Sequence, residues 1–410
     1  MAAPQSILAE ASRPESWQSF YEHKLKNHHL SAAEDKALRD FIDRAAYLPL
    51  CALWEQGRFP SSLPVKRTVN KAGTHKKRTV YSLEGDEGLF LKYIAWQLFR
   101  FDDCFCENCY AFRRSCGARD AVSRIRRNSR IGSQYCLKVD VSNYFNSIDV
   151  EKLLSKLSFV RERDSALYDL FSRILRENRV VENGHIVREL HGAMAGIPVS
   201  PFFANVYLGD VDRFFYDRHI TYFRYSDDIL LFADSEAQLA QYRDALYSQI
   251  QELGLRLNPD KVQTSAPGEP WEFLGFCYRN GEIDLSDNTL RKAKAKIKRK
   301  AEALRRWQRK KKLSPEKAAI GLIHAMNRKF YGHDGAEDDF TWSRWFFPCL
   351  TVDKGLRELD AYFQQYIRYA VTGRHYKGNF RIRYQTMKEW GYQSLVHAYY
   401  ETCKGNVNTP

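Results

Sequence analysis

The chain has 410 residues, 44% of them hydrophobic, and its 64 Lys and Arg outnumber its 50 Asp and Glu to give a net charge of +14. This length exceeds one domain of roughly 100–200 residues, and the hydrophobic content excludes a mainly disordered chain. The positive charge favours a polyanionic partner, and nucleic acid before a membrane surface.

Signals for membranes and secretion are missing from the sequence. No apolar run approaches the roughly 18 residues of a membrane span. The first six residues, Met-Ala-Ala-Pro-Gln-Ser, do not begin the basic-then-apolar pattern of a secretory signal. Nine cysteines, an odd number, are typical of reduced thiols, and the run Cys104, Cys106, Cys109 and Cys116 fits no standard zinc motif. We therefore expect a cytoplasmic protein that does not associate with membranes.

The N-terminal part of the chain has the patterns of helices and one hairpin. Helical hydrophobic spacing runs through residues 1–58 and ends at Gly57 and a Pro-Ser-Ser-Leu-Pro stretch. A Lys- and Arg-rich segment, 65–80, has the pattern of a hairpin around Gly73. A strongly apolar helix is predicted over 89–101.

From 135 to 285 the pattern changes to short β-prone runs that lie between helices. The clearest strands are predicted at 135–139 and 229–232. These runs do not alternate regularly with helices, so they predict an α+β domain with antiparallel strands.

The positive charge is concentrated in one predicted helix, 291–312. It holds thirteen Lys and Arg against one acid, Glu302, and its apolar residues recur at helical spacing on one side. A solvated helix is the simpler interpretation. Because like charges repel one another, we favour a helix that binds phosphates along a nucleic-acid duplex. The side chains expected to bind are Lys296, Arg299, Lys300 and Arg306.

Three carboxylates suggest phosphoryl-transfer chemistry. Asp227 and Asp228 lie between two β-prone runs, which predicts a hairpin with both acids at its turn. Alone, such a pair is more often turn chemistry than a metal site. A third acid, Asp140, ends the strand-like run 135–139, and a carboxylate there plus the pair at a hairpin tip suits a two-metal site. The expected cofactors are two Mg²⁺ ions, with Mn²⁺ as the alternative.

The motifs around these acids resemble those of the reverse transcriptases, in the family's order, over residues 75–280. Lys-Val-Asp-Val-Ser-Asn-Tyr-Phe at 138–145 is similar to the first palm motif, and Gly-Ile-Pro-Val-Ser-Pro-Phe-Phe-Ala-Asn at 196–205 to the second. Tyr-Ser-Asp-Asp at 225–228 resembles the Tyr-x-Asp-Asp box, and Leu-Asn-Pro-Asp-Lys at 257–261 the motif after it.

Three further segments resemble flanking elements of the family. Trp-Glu-Phe-Leu-Gly-Phe at 271–276 is similar to the primer grip, Lys-Lys-Arg-Thr-Val-Tyr at 76–81 to a fingers strand, and Tyr-Ala-Phe-Arg-Arg at 110–114 to a second fingers element. One position departs from the pattern. Ala195 stands where the family usually has glutamine, which removes an amide contact near the nucleotide or template.

The resemblance implies a role for each matching residue. Asp140, Asp227 and Asp228 are implied to be catalytic and, with Val141, to form the metal site. Phe145 is implied to block the 2′-hydroxyl of a ribonucleotide. The other implied contacts are to the nucleotide (Arg78, Gly196 and Lys261), to nucleic acid along the fingers (Lys77 and Arg113) and to the primer end (Leu274 and Gly275).

The resemblance also implies an α+β right-hand polymerase with an antiparallel-sheet palm, fingers, a helical thumb and a C-terminal helical extension. The predicted domains are an N-terminal helical extension at 1–64, interleaved fingers and palm at 65–288, a basic helical thumb at 289–332 and an aromatic-rich extension at 333–410. We expect the aromatic residues of this extension to form core rather than base-stacking platforms.

The implied function is an RNA-directed DNA polymerase that adds dNTPs to a 3′-hydroxyl on an RNA template and holds an RNA–DNA duplex. Gly-Tyr-Gln-Ser-Leu-Val at 391–396 is similar to the bacterial "unknown group" of reverse transcriptases that is associated with phage defence. The expected template in that group is a cognate non-coding RNA, and the expected role is antiviral.

Other functions remain open at this stage. They are a retron-type or group II intron-type reverse transcriptase, a template-independent nucleotidyl transferase and a non-catalytic RNA-binding scaffold. The missing glutamine makes the nucleotidyl transferase less remote. The sequence does not decide the template, the primer or whether the chain forms a homo-oligomer.

Overall fold

The structure, a computed structural model, describes residues 6–27, 30–70, 77–332 and 341–407. The chain divides into two compact units, Met1–Pro267 and Gly268–Pro410. No helix of the described residues is long and apolar enough to cross a lipid bilayer.

The N-terminal unit begins with four helices, as the hydrophobic spacing predicts for 1–58. Helix α3 starts with a capping box, in which Ser31 and Glu34 each accept a hydrogen bond from the other's backbone N–H. The buried Trp17 ring stacks on Tyr93 with ring centroids 4.1 Å apart, which joins these helices to the rest of the unit. The helices are α1 Ile7–Ala11, α2 Pro14–Asn27, α3 Ala32–Asp43 and α4 Tyr47–Glu55.

The described residues of this unit form eight further helices and eight strands. The helices are α5 Gly85–Gln97, α6 Ala118–Arg127, α7 Val150–Lys156, α8 Ser158–Arg163, α9 Ser165–Arg176, α10 Ser200–Tyr207, α11 Gly209–Asp217 and α12 Glu236–Glu252. The strands are β1 Val65–Asn70, β2 Lys77–Ser82, β3 Tyr135–Asp140, β4 Arg179–Glu182, β5 His185–Arg188, β6 Tyr222–Tyr225, β7 Asp228–Ala233 and β8 Gln263–Ser265. Short 3-10 helices lie at Leu98–Cys104, Ile131–Ser133, Tyr144–Ser147 and Pro259–Lys261.

The strands form two four-stranded sheets. The fingers sheet has the order β2-β1-β4-β5, and β1 and β2 pair antiparallel from Val65 opposite Ser82 to Asn70 opposite Lys77. The predicted hairpin is therefore confirmed in its strands, whereas its turn at Gly73, and Lys76 beside it, lie outside the described residues.

The palm sheet has the order β6-β7-β3-β8, and its neighbouring strands are antiparallel. All of Ile229–Ala233 is buried, which explains why β7 is a continuous apolar run rather than an alternating one. The predicted α+β class with antiparallel strands is thus confirmed.

The C-terminal unit combines a small antiparallel sheet with helices. Its strands are β9 Trp271–Phe273, β10 Phe276–Arg279 and β11 Glu282–Leu285. Its helices are α13 Asp287–Lys310, α14 Pro315–Tyr331, α15 Trp342–Phe346, α16 Lys354–Thr372, α17 Tyr384–Glu389 and α18 Leu395–Val407, with 3-10 helices at Phe347–Cys349 and Lys377–Arg381. Helices α13, α14 and α16 pack on one another.

The division between the units lies before the predicted start of the thumb at 289. The reason is the packing of the small sheet: the backbone N–H of Gly355 on α16 donates to the carboxylate of Asp284 on β11, at 3.0 Å from Oδ2. The segment from 268 onwards therefore packs with the C-terminal helices.

The aromatic tail is only partly the core that the sequence predicts. Phe347 and Phe363 are buried, but Phe380, Tyr376 and Tyr384 are 69%, 48% and 42% exposed. The expectation that these aromatics are core is wrong for these three side chains.

Candidate active site

The palm sheet brings the three predicted carboxylates to one edge. Asp140 is the last residue of β3, Asp228 is the first of β7, and the two are register partners in the antiparallel pair. Asp227 lies in the two-residue turn between β6 and β7, where Ser226 has a φ of 61°. The hairpin predicted from the sequence is confirmed, with both acids at its tip.

Burial of these acids is costly without a cation. Burial, together with repulsion from Asp140, raises the pKa of Asp227. Burial and the neighbouring carboxylates raise the pKa of Asp228 to about 7, although Lys138 Nζ lies 3.7 Å from its Oδ2. Its other oxygen, Oδ1, is buried and has no hydrogen-bond partner among the described residues. An orphaned buried carboxylate oxygen is a suitable ligand for a hard cation.

Lysines contact two of the three acids. Lys261 Nζ, at the end of the 3-10 helix Pro259–Lys261, contacts Asp140 Oδ1, while Lys138 faces Asp228. In this arrangement no three His, Cys, Asp or Glu side chains of the described residues converge as ligands of one ion. The residues still fit Mg²⁺, since that ion takes one or two carboxylates and completes its shell with water and substrate phosphates.

A cleft of about 710 Å³ opens above this edge of the sheet. Asp140 and Asp227 form part of its wall, and Lys261 lies beside them. Among its lining residues are the predicted Lys77, Arg78, Val141, Phe145 and Gly196. Asp228 does not line the cleft. One cavity of the N-terminal unit thus combines carboxylates with three exposed or half-exposed cations.

Two neighbouring aromatics have different environments. Tyr144 is 2% exposed, and its hydroxyl donates to the carbonyl of Ala204. Phe145 is half-buried and lines the cleft, where its ring meets Phe112 edge to face at a centroid distance of 6.2 Å. Both residues line the cleft, and Phe145 is the more exposed of the two.

A glycine joins the second palm motif to the fingers sheet. Gly196 has a φ of 110°, and a Cβ there would lie 2.6 Å from the carbonyl oxygen of Tyr81 on β2. The N–H of Tyr81 donates to the carbonyl of Ala195 at 2.8 Å, and the N–H of Ala195 donates to Asn146 Oδ1 at 2.9 Å. Only glycine fits this close approach, because any side chain would clash with the strand.

A family model for the reverse transcriptase, an RNA-dependent DNA polymerase, matches residues 69–278, which is about half of the chain. The chain belongs to the reverse transcriptase family. The matched range contains both four-stranded sheets, apart from the first residues of β1, and every residue that lines the cleft.

Individual relatives are distant. The retron Ec86 reverse transcriptase of Escherichia coli is 24% identical over 176 residues, which cover 41% of this chain and 49% of that protein. The chain therefore spans about half the length of the curated relative it matches. Among solved structures, apo telomerase from Candida tropicalis aligns with a TM-score of 0.45 and 11% identity over 84% of this chain and 73% of that one. Telomerase from Candida albicans, in complex with a fragment of telomeric RNA, has a TM-score of 0.43 and 13% identity over 85% and 66%.

Beneath the turn that carries Asp227, this member of the reverse transcriptase family has a buried ion pair, which sequence reasoning missed. Arg224 and Asp212 are 0% and 1% exposed, and Arg224 Nε donates to Asp212 Oδ1 at 2.7 Å. Nη1 of Arg224 also donates to the carbonyl of Ser226 at 3.1 Å, which fixes the turn that carries Asp227. The signal available in the sequence was Arg224, the one charged residue of the otherwise aromatic strand β6.

The loop between the 3-10 helix Leu98–Cys104 and α6 corrects one predicted contact. Arg113 was predicted to contact nucleic acid, but its side chain is 8% exposed and forms an ion pair of 3.0 Å with Asp102. The same guanidinium donates to the carbonyls of Cys106 and Cys109 at 2.7 and 3.1 Å. Arg113 therefore holds the loop in shape and has few donors left for a phosphate.

The predicted primer-grip residues form the turn between β9 and β10 in the C-terminal unit. Leu274 and Gly275 have φ values of 52° and 89°, and positive values at both positions are typical of a tight hairpin turn. The carbonyl of Gly275 accepts hydrogen bonds from Thr289 Oγ1 at 2.8 Å and from the N–H of Ser286 at 2.9 Å. These bonds attach the turn to the start of α13.

The predicted basic helix is confirmed as α13. Leu290, Ala293, Ile297 and Ala301 are buried along one side. The four residues that were predicted to bind nucleic acid, Lys296, Arg299, Lys300 and Arg306, are all exposed. Burial and the nearby Lys296 ammonium lower the pKa of Lys329 to about 8.

Proposed function

We propose that this chain is an RNA-directed DNA polymerase, which extends a 3′-hydroxyl with dNTPs by copying an RNA template. One observation carries the proposal: in this member of the reverse transcriptase family, one cleft has Asp140 and Asp227 in its wall beside Lys77, Arg78 and Lys261. Acids of this kind bind metal ions, and the cations suit a triphosphate.

The carboxylates would hold divalent metal ions, which reverse transcriptases generally use. Asp140, Asp227 and Asp228 are the proposed ligands, and Val141 lines the same site. Bound Mg²⁺ would favour ionisation of the attacking 3′-hydroxyl and neutralise charge on the leaving pyrophosphate. The raised pKa values of Asp227 and Asp228 are consistent with this role, because a cation would compensate for the burial of both acids.

The exposed cations would position the nucleotide. Arg78 can form two parallel hydrogen bonds with a phosphate group, whereas Lys261 acts as a point charge. Lys261 contacts Asp140, so its ammonium would lie beside a triphosphate that is held at these carboxylates. Gly196 would let the backbone approach the nucleotide closely.

Primer extension with purified protein tests this proposal and separates it from its alternatives. Synthesis that needs both an RNA template and dNTPs supports the polymerase. Synthesis without any template would support a nucleotidyl transferase, and RNA binding without synthesis would support a scaffold. Sequencing of co-purified RNA and DNA identifies the template.

Phe145→Ala should admit ribonucleotides while metal-dependent synthesis continues. A rigid ring that already fills the space of the 2′-hydroxyl rejects the larger sugar, so its removal should lower the ratio of kcat/KM for dNTP over the matching NTP on the order of 10–100-fold. Tyr144→Phe, which deletes only a buried hydroxyl, is the matched control and should keep the wild-type ratio. Loss of dNTP use without any gain in NTP use would contradict the assignment.

Replacing Lys296, Arg299, Lys300 and Arg306 of α13 with Gln should weaken duplex binding and flatten its salt dependence. Each phosphate that is no longer neutralised should reduce the slope of log K against log[salt] by about 0.7–0.9. A control with the same change in charge replaces four cations of the N-terminal helices with Gln: Lys26, Lys36, Arg39 and Arg44. If both variants bind with the wild-type slope, α13 is only a solvated surface.

For the biological role, we propose phage defence with a cognate non-coding RNA as template. The support is the likeness of 391–396 to the defence-associated group. Within the fold these residues hold the C-terminal helix: Tyr392 and Ser394 hydroxyls and the N–H of Leu395 all donate to the buried carboxylate of Asp360, at 2.9, 2.6 and 3.0 Å. Phage plating on cells that express the wild type or the Asp227→Ala, Asp228→Ala variant tests this role.

A further inference from the structure

A second cationic surface lies directly after α16, outside the residues that the family model matches. It is the segment 374–384, Arg-His-Tyr-Lys-Gly-Asn-Phe-Arg-Ile-Arg-Tyr, which we call the aromatic-basic segment. The segment contains no Asp or Glu. Its four cations, Arg374, Lys377, Arg381 and Arg383, are exposed, and none forms an ion pair with a carboxylate of the described residues.

Three aromatic rings are interspersed with these cations. Phe380 is 69% exposed, and Tyr376 and Tyr384 are 48% and 42% exposed. The Arg368 guanidinium lies 5.2 Å from the centre of the Phe380 ring. Single exposed aromatics are ordinary, but three within nine residues, each close to exposed cations, form a surface that can accept flat, negatively charged partners.

The segment is held in a defined shape. Asn379 is 6% exposed, and its Nδ2 donates to the carbonyl of Arg374 at 2.6 Å. Arg368 Nε donates to the carbonyl of the buried Ile382 at 3.1 Å. The Tyr376 ring lies over Gly378, where a Cβ would clash with it. A backbone held in this way loses little conformational freedom on binding, which favours affinity.

The segment adjoins the basic helix α13. Arg305 of that helix donates to the carbonyls of Tyr369 and Val371, at 3.3 and 3.2 Å, at the C-terminal end of α16. Gly373 then ends α16 with a φ of 75°, and a Cβ there would clash with the Arg305 guanidinium. The phosphate-binding surface proposed for α13 therefore continues into the aromatic-basic segment.

We infer that the aromatic-basic segment binds unpaired RNA. Bases would stack on Phe380, Tyr376 and Tyr384, and phosphates would pair with the four cations. A duplex cannot use these rings, because its base faces are already stacked, so the expected ligand is a single strand. The choice of RNA rests on the proposed function, since an RNA template has unpaired flanks on either side of the copied region.

Binding of a twelve-nucleotide oligouridylate RNA to the full chain tests this inference. Tyr376→Ala with Phe380→Ala should weaken binding on the order of 10-fold or more, with no change in salt dependence, because stacking is removed while charge is kept. Gln at Arg374, Lys377, Arg381 and Arg383 should instead lower the salt slope by about 0.7 for each phosphate that is no longer neutralised. Tyr216→Ala, which removes a 42% exposed ring from the N-terminal unit, is the control and should bind normally.

The outcomes separate this inference from the polymerase proposal. If both segment variants bind oligouridylate with wild-type affinity, the inference is overturned. If the wild type binds oligothymidylate DNA as tightly as oligouridylate RNA, the assignment to RNA is overturned. Extension of a primer on an RNA whose only unpaired residues are the few to be copied should be unaffected by the segment variants. If no variant or wild-type chain copies RNA, yet Phe380 still determines oligouridylate binding, the polymerase proposal fails and this inference stands.

Discussion

Replacing Asp227 and Asp228 with Ala should abolish DNA synthesis and raise the stability of the metal-free protein. The first effect follows from the loss of metal ligands, since several kcal/mol of transition-state stabilisation correspond to a rate loss of about 10³-fold or more. The second follows because Asp228 Oδ1 is buried without a hydrogen-bond partner among the described residues, and removal of such a group relieves about 1–3 kcal/mol. Primer extension and thermal unfolding without Mg²⁺ measure the two effects.

A matched control removes two exposed acids, Asp217 and Asp244, in the same way. That variant should keep wild-type synthesis and should gain no stability. If the Asp227→Ala, Asp228→Ala variant incorporates dNTPs within tenfold of the wild-type rate, these acids are not the metal ligands.

Breaking the buried pair beneath the turn should reduce both stability and synthesis. Arg224→Met leaves Asp212 buried and uncompensated, and removal of one partner from a buried pair costs about 3–5 kcal/mol. Arg224→Lys keeps the charge but not the set of bonds to Asp212 and Ser226. We expect it to fold, to lower kcat and to require more Mg²⁺ for half-maximal synthesis, because the turn that carries Asp227 is then less firmly held.

A double variant separates positioning from stability. Arg224→Met with Asp212→Leu replaces the pair with apolar side chains, an exchange that is often neutral for stability. Unfolding should return close to the wild-type temperature, whereas the Mg²⁺ requirement should stay raised because the bond to the Ser226 carbonyl is missing. Full recovery of the wild-type Mg²⁺ dependence would mean that Arg224 contributes only to stability.

Local pattern predicts the elements of this fold well. The hairpin can be predicted from three features: the apolar run 229–233, the acids before it and the matching run at 221–224. The helical spacing of Leu290, Ala293 and Ile297 identifies α13. The placement of Asp140 opposite Asp228 does not follow from spacing, because the two strands are far apart in the chain. The sequence suggests only that the three acids form one site.

Partners across the fold could not be predicted. The sequence shows that Arg113 and Arg224 are charged. It does not show that Asp102 and Asp212 pair with them, or that both arginine side chains are almost fully buried. The rings of Tyr144 and Phe145 have different environments because successive residues of a 3-10 helix, here Tyr144–Ser147, point about 120° apart. The same limit applies to the tail, where composition cannot distinguish the buried Phe363 from the exposed Phe380.

Template-directed incorporation is the most direct test of the proposed polymerase. The wild-type chain, Mg²⁺ and one primer are combined with four RNA templates that differ only in the first unpaired base, and each dNTP is supplied alone. We expect each template to direct incorporation of its complementary dNTP, and the Asp227→Ala, Asp228→Ala variant to incorporate none. Incorporation of the same dNTP whatever the template base, or no incorporation by the wild type on any of the four RNAs, would contradict an RNA-directed DNA polymerase.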